Sequence, residues 1–213
     1  MKVKDIMTWN VITVSSDTPI MEARKILETH KIRRIPVVDR GKLVGIVTLH
    51  RIDSAGPSEA TSLSIWESNY LLARMKVKEI MQKDVVTIDP EASIEQALAK
   101  GQGMRVGIMP VIDDNKLVGV VTTTDFMLKM LTPALGIGTP GTRLNISECN
   151  QAKSIKELME IVEKGGMRIL SAHTMPPAED TPNGFSLHVD SENVTDLIKS
   201  ITAKGYKVTI VAR

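Results

Sequence analysis

Thr122, Thr123, Thr124 and Asp125 close an apolar run, KLVGVVTTTD, whose near-copy KLVGIVTLHR lies 74 residues earlier and closes in Arg51. The two endings have opposite chemistry. An ionised carboxylate only accepts hydrogen bonds and has room for two vicinal hydroxyls, whereas a guanidinium only donates. Each charge-assisted hydrogen bond is worth about 1.5–3 kcal/mol, roughly ten- to hundredfold in affinity. Thr122 stands beside Asp125 as a further polar contact. Arg33 and Arg34 offer the complementary chemistry, because planar guanidinium forks suit phosphate oxygens. Asp53 follows two residues later than Asp125 does in its copy and points elsewhere from a strand end or new helix.

Catalysis finds little support. His30, His50, His173 and His188 show no metal-ligand spacing with one another or with Cys149. There is no phosphate-binding GxxxxGK[ST], nucleophile elbow or kinase set. The GxGxxG at Gly136, Gly138 and Gly141 follows a proline-bearing segment and precedes a strand-like one, the wrong setting for a dinucleotide loop. With 42% apolar and 24% charged residues the chain reads as globular, and a net charge of +2 gives no general reason to bind nucleic acid or anionic lipid. The start MKVKDIM lacks the apolar core of a secretory signal, no membrane span is expected, and a single cysteine fits a reducing compartment; the cytoplasm is the expected location.

The elements that must position these residues occur twice. Aligning 1–52 with 75–126 without gaps gives 19 identities in 52 pairs. Each copy reads as a short strand (VITV, VVTI), a helix, a buried strand (IPVVD, MPVID), a tight turn at Arg40-Gly41 or Asp114-Asn115, and a returning strand. The first helix places Ile20, Ala23, Ile26 and Leu27 on one side. Its counterpart is weakened by Gly101 and Gly103, each costing about 1 kcal/mol against alanine, and nothing in the sequence accounts for them.

This tandem arrangement, with its [IM]-P-V-[VI]-D strand and G-[IV]-V-T hairpin, resembles a pair of CBS domains, which in that family pack sheet to sheet as a Bateman module. The segment SEATSLSIWESNYLLARMKV, with Leu63, Trp66, Tyr70 and Leu71 at helical spacing, resembles the connector of acetoin-utilisation (AcuB-type) proteins. The resemblance implies adenosyl ligands in clefts between the repeats, with AMP, ATP or S-adenosylmethionine as candidates and no required cofactor. It places Thr122 and Asp125 at the ribose, and Arg33 and Arg34 of the other repeat at the phosphate, with His50 joining them. Adenine would lie against Val11 and Ile12. The twin cleft would pair Arg51 with Gly107 and Ile108, leaving one good site. Taken on their own, KIRR also fits a solvated basic turn, and Thr-x-x-Asp an ordinary helix cap.

Residues 132–142 read as a linker, and 143–213 as strand-helix-strand-strand-helix-strand, the ferredoxin-like order. The last part resembles an ACT domain, although Asn150 and Lys153 stand where that family's ligand loop has an acid and a glycine. The expected fold is therefore α/β (α+β): CBS repeat 1 over 1–53, a helical connector over 54–74, CBS repeat 2 over 75–131, the linker, and an ACT-like domain. The expected function is nonenzymatic regulation by an adenosyl nucleotide, in a homodimer acting on an unidentified regulated protein. An assembly protein with a vestigial site, and an amino-acid sensor, are the alternatives.

Overall fold

A computed structural model of the chain describes residues 1–55, 72–175 and 184–211. Leu63, Trp66, Tyr70 and Leu71, and all of the loop PPAEDTPNG but Gly184, lie outside those residues. The chain divides into two compact units, Met1–Phe126 and Met127–Arg213. No helix among the described residues is long and apolar enough to cross a membrane.

In the first unit the repeats are built alike. Repeat one runs α1 (Val3–Ile6), α2 (Ile20–Thr29), β1 (Arg34–Asp39), β2 (Lys42–Thr48) and α3 (Leu49–Ser54). Repeat two runs α4 (Val77–Ile80), α5 (Ile94–Gly103), β3 (Ile108–Asp113), β4 (Lys116–Thr122) and the turn α6 (Thr123–Asp125), which passes into a π-helical stretch, Phe126–Leu131. Each hairpin turns on two residues with positive φ, Arg40 and Gly41 or Asp114 and Asn115, as its short connection demands. Repeat one buries Ala23, Leu27, Ile35, Val47 and Ile52 in one apolar cluster.

The expected strands VITV and VVTI shrink to single bridges, Val14 with Val37 and Ile88 with Val111. Proline is the cause. Val38 N donates to Val14 O and Val14 N donates to Pro36 O, but the next rung needs an N–H on Pro36, which has none. Pro110 stops the second ladder in the same way after Ile88 N bonds to its carbonyl. Residues 11–12 are thereby left outside any ladder.

The leading segments are exchanged between the repeats. Val3 N and Lys4 N donate to Ala92 O and Pro90 O, and Val77 N and Lys78 N to Thr18 O and Ser16 O. Thr8 then pairs with Val120, and Gln82 with Ile46, each through two main-chain hydrogen bonds of 2.9–3.0 Å. The crossing is close enough to require glycine. A Cβ on Gly45 would stand 2.9 Å from Gln82 O, and one on Gly119 would stand 2.6 Å from Met7 Sδ. Two lysines from each leading segment clasp one acid of the other repeat: Lys2 and Lys4 hold Glu91, and Lys76 and Lys78 hold Asp17. The hydrogen bonds from Lys2 and Lys4 bring the Glu91 carboxyl down to about 2. Those from Lys78 and Lys76 lower Asp17.

The second unit is a four-stranded antiparallel sheet of β5 (Thr142–Ser147), β6 (Ile169–Met175), β7 (Gly184–Val189) and β8 (Val208–Ile210), in the order β6-β7-β5-β8. Helices α7 (Ala152–Lys164) and α8 (Thr195–Ala203) complete the ferredoxin-like order. Alternating Leu144 and Ile146 on β5, with Phe185, Leu187 and Val189 on β7, meet Leu158, Val162, Leu197 and Ile201 of the helices in one core. Cys149 lies in that core, and burial pushes its thiol above the ordinary value.

Two outcomes are expected. Gly45→Ala should lower stability in urea unfolding by about 1–3 kcal/mol, the range for overpacking, because the opposing atom is main chain. Gly103→Ala, with nothing near its Cβ, should raise it by up to about 1 kcal/mol. Separately, the Glu91 clasp is fully present above pH ~4.5 and is lost as pH falls from there toward 2, since the folded-state value is the lower one. Thermal melts of wild type and Glu91→Gln should therefore differ above pH ~4.5 and converge toward pH 2.

Candidate functional site

A cleft of about 610 Å³ opens in the first unit, within the usual range for small-ligand sites. Five short pieces of chain build its wall. The exchanged leading segment supplies Thr8 and Asn10, and the unladdered stretch supplies Val11 and Ile12. The turn after α2 supplies Lys31, Arg33 and Arg34, with Pro36 on β1. Repeat two contributes Gly107 and Ile108 before and on β3, and Thr122 to Asp125 at the end of β4.

Asp125 is 8% exposed and already partly engaged. Its Oδ2 accepts from Thr122 N at 2.9 Å and from Thr122 Oγ1 at 2.6 Å, while Thr122 Oγ1 accepts from Asp125 N at 3.3 Å. This is a capping box, so the helix-cap reading of Thr-x-x-Asp holds in this structure. The cap also fixes the carboxylate's direction. Oδ1 lies 3.5 Å from Thr8 Oγ1, a residue that lines the cleft. Thr8 and Thr122 thus both donate to this carboxylate, which holds the exchanged leading segment against the end of β4.

Part of the cleft wall is cationic. Among the described residues, none of the ion pairs involves Lys31, Arg33 or Arg34. The Arg34 guanidinium lies along Gly107, where a Cβ would stand 3.3 Å from Nη1. Gly107 offers no cation of its own and leaves room for the one from repeat one. Lys31 holds a left-handed backbone, φ 53, at the helix end. That conformation strains any residue with a Cβ, and here it brings the lysine to the cleft wall.

Thr122, Asp125, Arg33, Arg34, Val11 and Ile12 are thus brought together. His50 is not among the residues lining the cleft; it sits exposed in α3. It stands two places past Thr48, on α3, whose first residue Leu49 donates its N–H to Arg33 O at 3.0 Å. Lys31 was legible only as part of a basic turn, and Thr8 and Asn10 carried no signal, because the segment exchange is a tertiary event.

At the twin position, Thr48 Oγ1 accepts from Arg51 N at 3.1 Å, so half of the cap survives. The Arg51 guanidinium donates instead to Ile80 O at 3.1 Å, tying α3 to α4 of the other repeat. The cation is engaged with main chain where repeat two presents a carboxylate. Among the described residues no group of three histidine, cysteine or acidic side chains is placed to hold a metal.

Known proteins share this architecture. A protein named for acetoin utilization (AcuB) from Vibrio cholerae superposes with a TM-score of 0.53 at 28% identity, over 62% of this chain and 91% of that one. The CBS domain-containing protein YhcV of Bacillus subtilis is 29% identical over 130 residues, 61% of this chain and 86% of its own. Inosine-5'-monophosphate dehydrogenase of Methanocaldococcus jannaschii is 30% identical over 208 residues, 95% of this chain, but the match spans only 39% of that enzyme. The CBS domain profile matches residues 3–57 and 77–132, one match for each repeat. The chain therefore belongs to the CBS domain family and carries that domain in tandem.

Proposed function

We propose that the cleft binds one adenosyl nucleotide of the AMP or ATP type per chain, and that the protein is a nonenzymatic regulator responding to it. The observation that carries this reading is the polarity of the cleft. A partly capped carboxylate from repeat two shares the cleft wall with three cations from repeat one that form no ion pair among the described residues. Such a site matches a ligand with a diol at one end and an anion at the other. Asp125 and Thr122 take the ribose hydroxyls, Arg33, Arg34 and Lys31 take the phosphate, and the open stretch Val11–Ile12 lies along the base. S-adenosylmethionine is the weaker candidate, because its charged end is cationic where the arginines stand.

The same reading assigns residues 1–53 and 75–131 to the CBS repeats, 54–74 to a connector and 132–142 to a linker. It assigns 143–213 to an ACT-type domain that transmits the ligand's effect or joins subunits of a homodimer. Any such effect equals the ligand's differential affinity for two states of the protein. A regulated partner, cytoplasmic location and independence from nucleic acid and membrane belong to the same proposal.

Calorimetric titration of the full chain with AMP, ATP and S-adenosylmethionine tests it. The expected result is one AMP per chain, bound about ten- to hundredfold more weakly by Asp125→Ala. No heat up to millimolar nucleotide would leave the vestigial-site reading in its place. Substitutions on the cationic wall separate the lining residues from their neighbour. Lys31→Ala should weaken AMP by roughly threefold or more, whereas His50→Ala should leave it unchanged.

A further inference from the structure

A second cavity, of about 340 Å³, opens in repeat two and shares Gly107, Ile108, Thr122 and Thr123 with the nucleotide cleft. Its remaining wall is largely apolar and includes Ala97, Gly101, Met109, Val121 and Phe126, with Gln102 and Arg105 as its polar members. The repeat offset explains why it exists. Gly101 corresponds to Leu27, which is fully buried among Ile35, Val47 and Ile52 in repeat one. Those three correspond to Met109, Val121 and Phe126, the cavity wall. Where repeat one inserts a leucine side chain, repeat two therefore has none, and the glycine that otherwise only weakens α5 opens the space. An unfilled apolar cavity destabilises its host, so the gap has a cost unless something occupies it.

The wall common to both cavities includes Gly107, against which the Arg34 guanidinium rests, beside Thr122 and Thr123. Resting on the adenosyl reading above, we propose that this cavity receives an apolar group carried on the ligand's phosphate. The natural ligand is then an adenylate substituted there with a short hydrocarbon or acyl chain. Diol, anion and chain meet, in that order, Asp125, Arg33 with Arg34, and the Gly101 cavity. Plain AMP fills the cleft and leaves the cavity vacant.

Calorimetry on the full chain with AMP and its methyl, butyl and hexyl phosphate esters tests this. Along the ester series each added methylene should tighten binding about fourfold until the cavity is full. Gly101→Leu should flatten the series while leaving AMP itself unchanged. Its Cβ meets only Met109 Cε and Val106 O at 3.6 Å, so the variant is expected to fold. Gly101→Ala, which needs still less room, should lose about one methylene's worth, roughly fourfold. A flat series in wild type, or a chain-length gain that survives Gly101→Leu, overturns the proposal while AMP binding stands. If neither AMP nor any ester binds, the adenosyl reading falls with it.

Discussion

Two main-chain crossings hold the first unit together, Thr8 against Val120 and Gln82 against Ile46, each passing over a glycine with no room for a methyl group. Because each leading segment is paired to the other repeat, neither hairpin has its full complement of hydrogen bonds alone. The buried side chains Val3, Ile6 and Val77 ride on these segments, each worth about 1.5–3 kcal/mol when removed from water. The lysine clasps on Glu91 and Asp17 lie exposed at the periphery and set register more than stability. The candidate site depends on the same crossing, since Thr8 reaches the cleft only through its pairing with Val120.

The crossed main-chain pairs, Gly45 with Gly119, Pro36 with Pro110, and the lysine clasps repeat at an offset of 74 residues. Three of the positions that differ between the repeats lie at the cleft or its neighbouring cavity: carboxylate against guanidinium at 125 and 51, glycine against arginine at 107 and 33, glycine against leucine at 101 and 27. One repeat-related position thus presents a carboxylate on the cleft wall, while at the other Arg51 donates to Ile80 O. On the proposed reading this asymmetry places the ligand chemistry at one site.

Proline has a double part in each repeat. It sits within the buried strand, and by lacking a donor it ends the parallel ladder at Val14 or Ile88. Residues 11–12 stay outside the ladder and line the cleft. The sequence pattern of alternating β-branched residues pointed to strands there, and hydrophobic periodicity carries no information about which rung lacks an N–H until the partner strand is known. The rest of the repeat was legible, because helices, hairpins and turns follow from local spacing and turn chemistry.

Duplication, the ferredoxin-like order of the last third, and the chemical contrast between Asp125 and Arg51 are all written in residue types and their spacing, which act locally. Tertiary structure alone decided that the leading segments cross over, that Lys31 joins the arginines at the cleft while His50 turns away, and that Gly101 opens a cavity. Those outcomes depend on which distant atoms share a space, and a glycine or a lysine reads the same in sequence whatever stands opposite it.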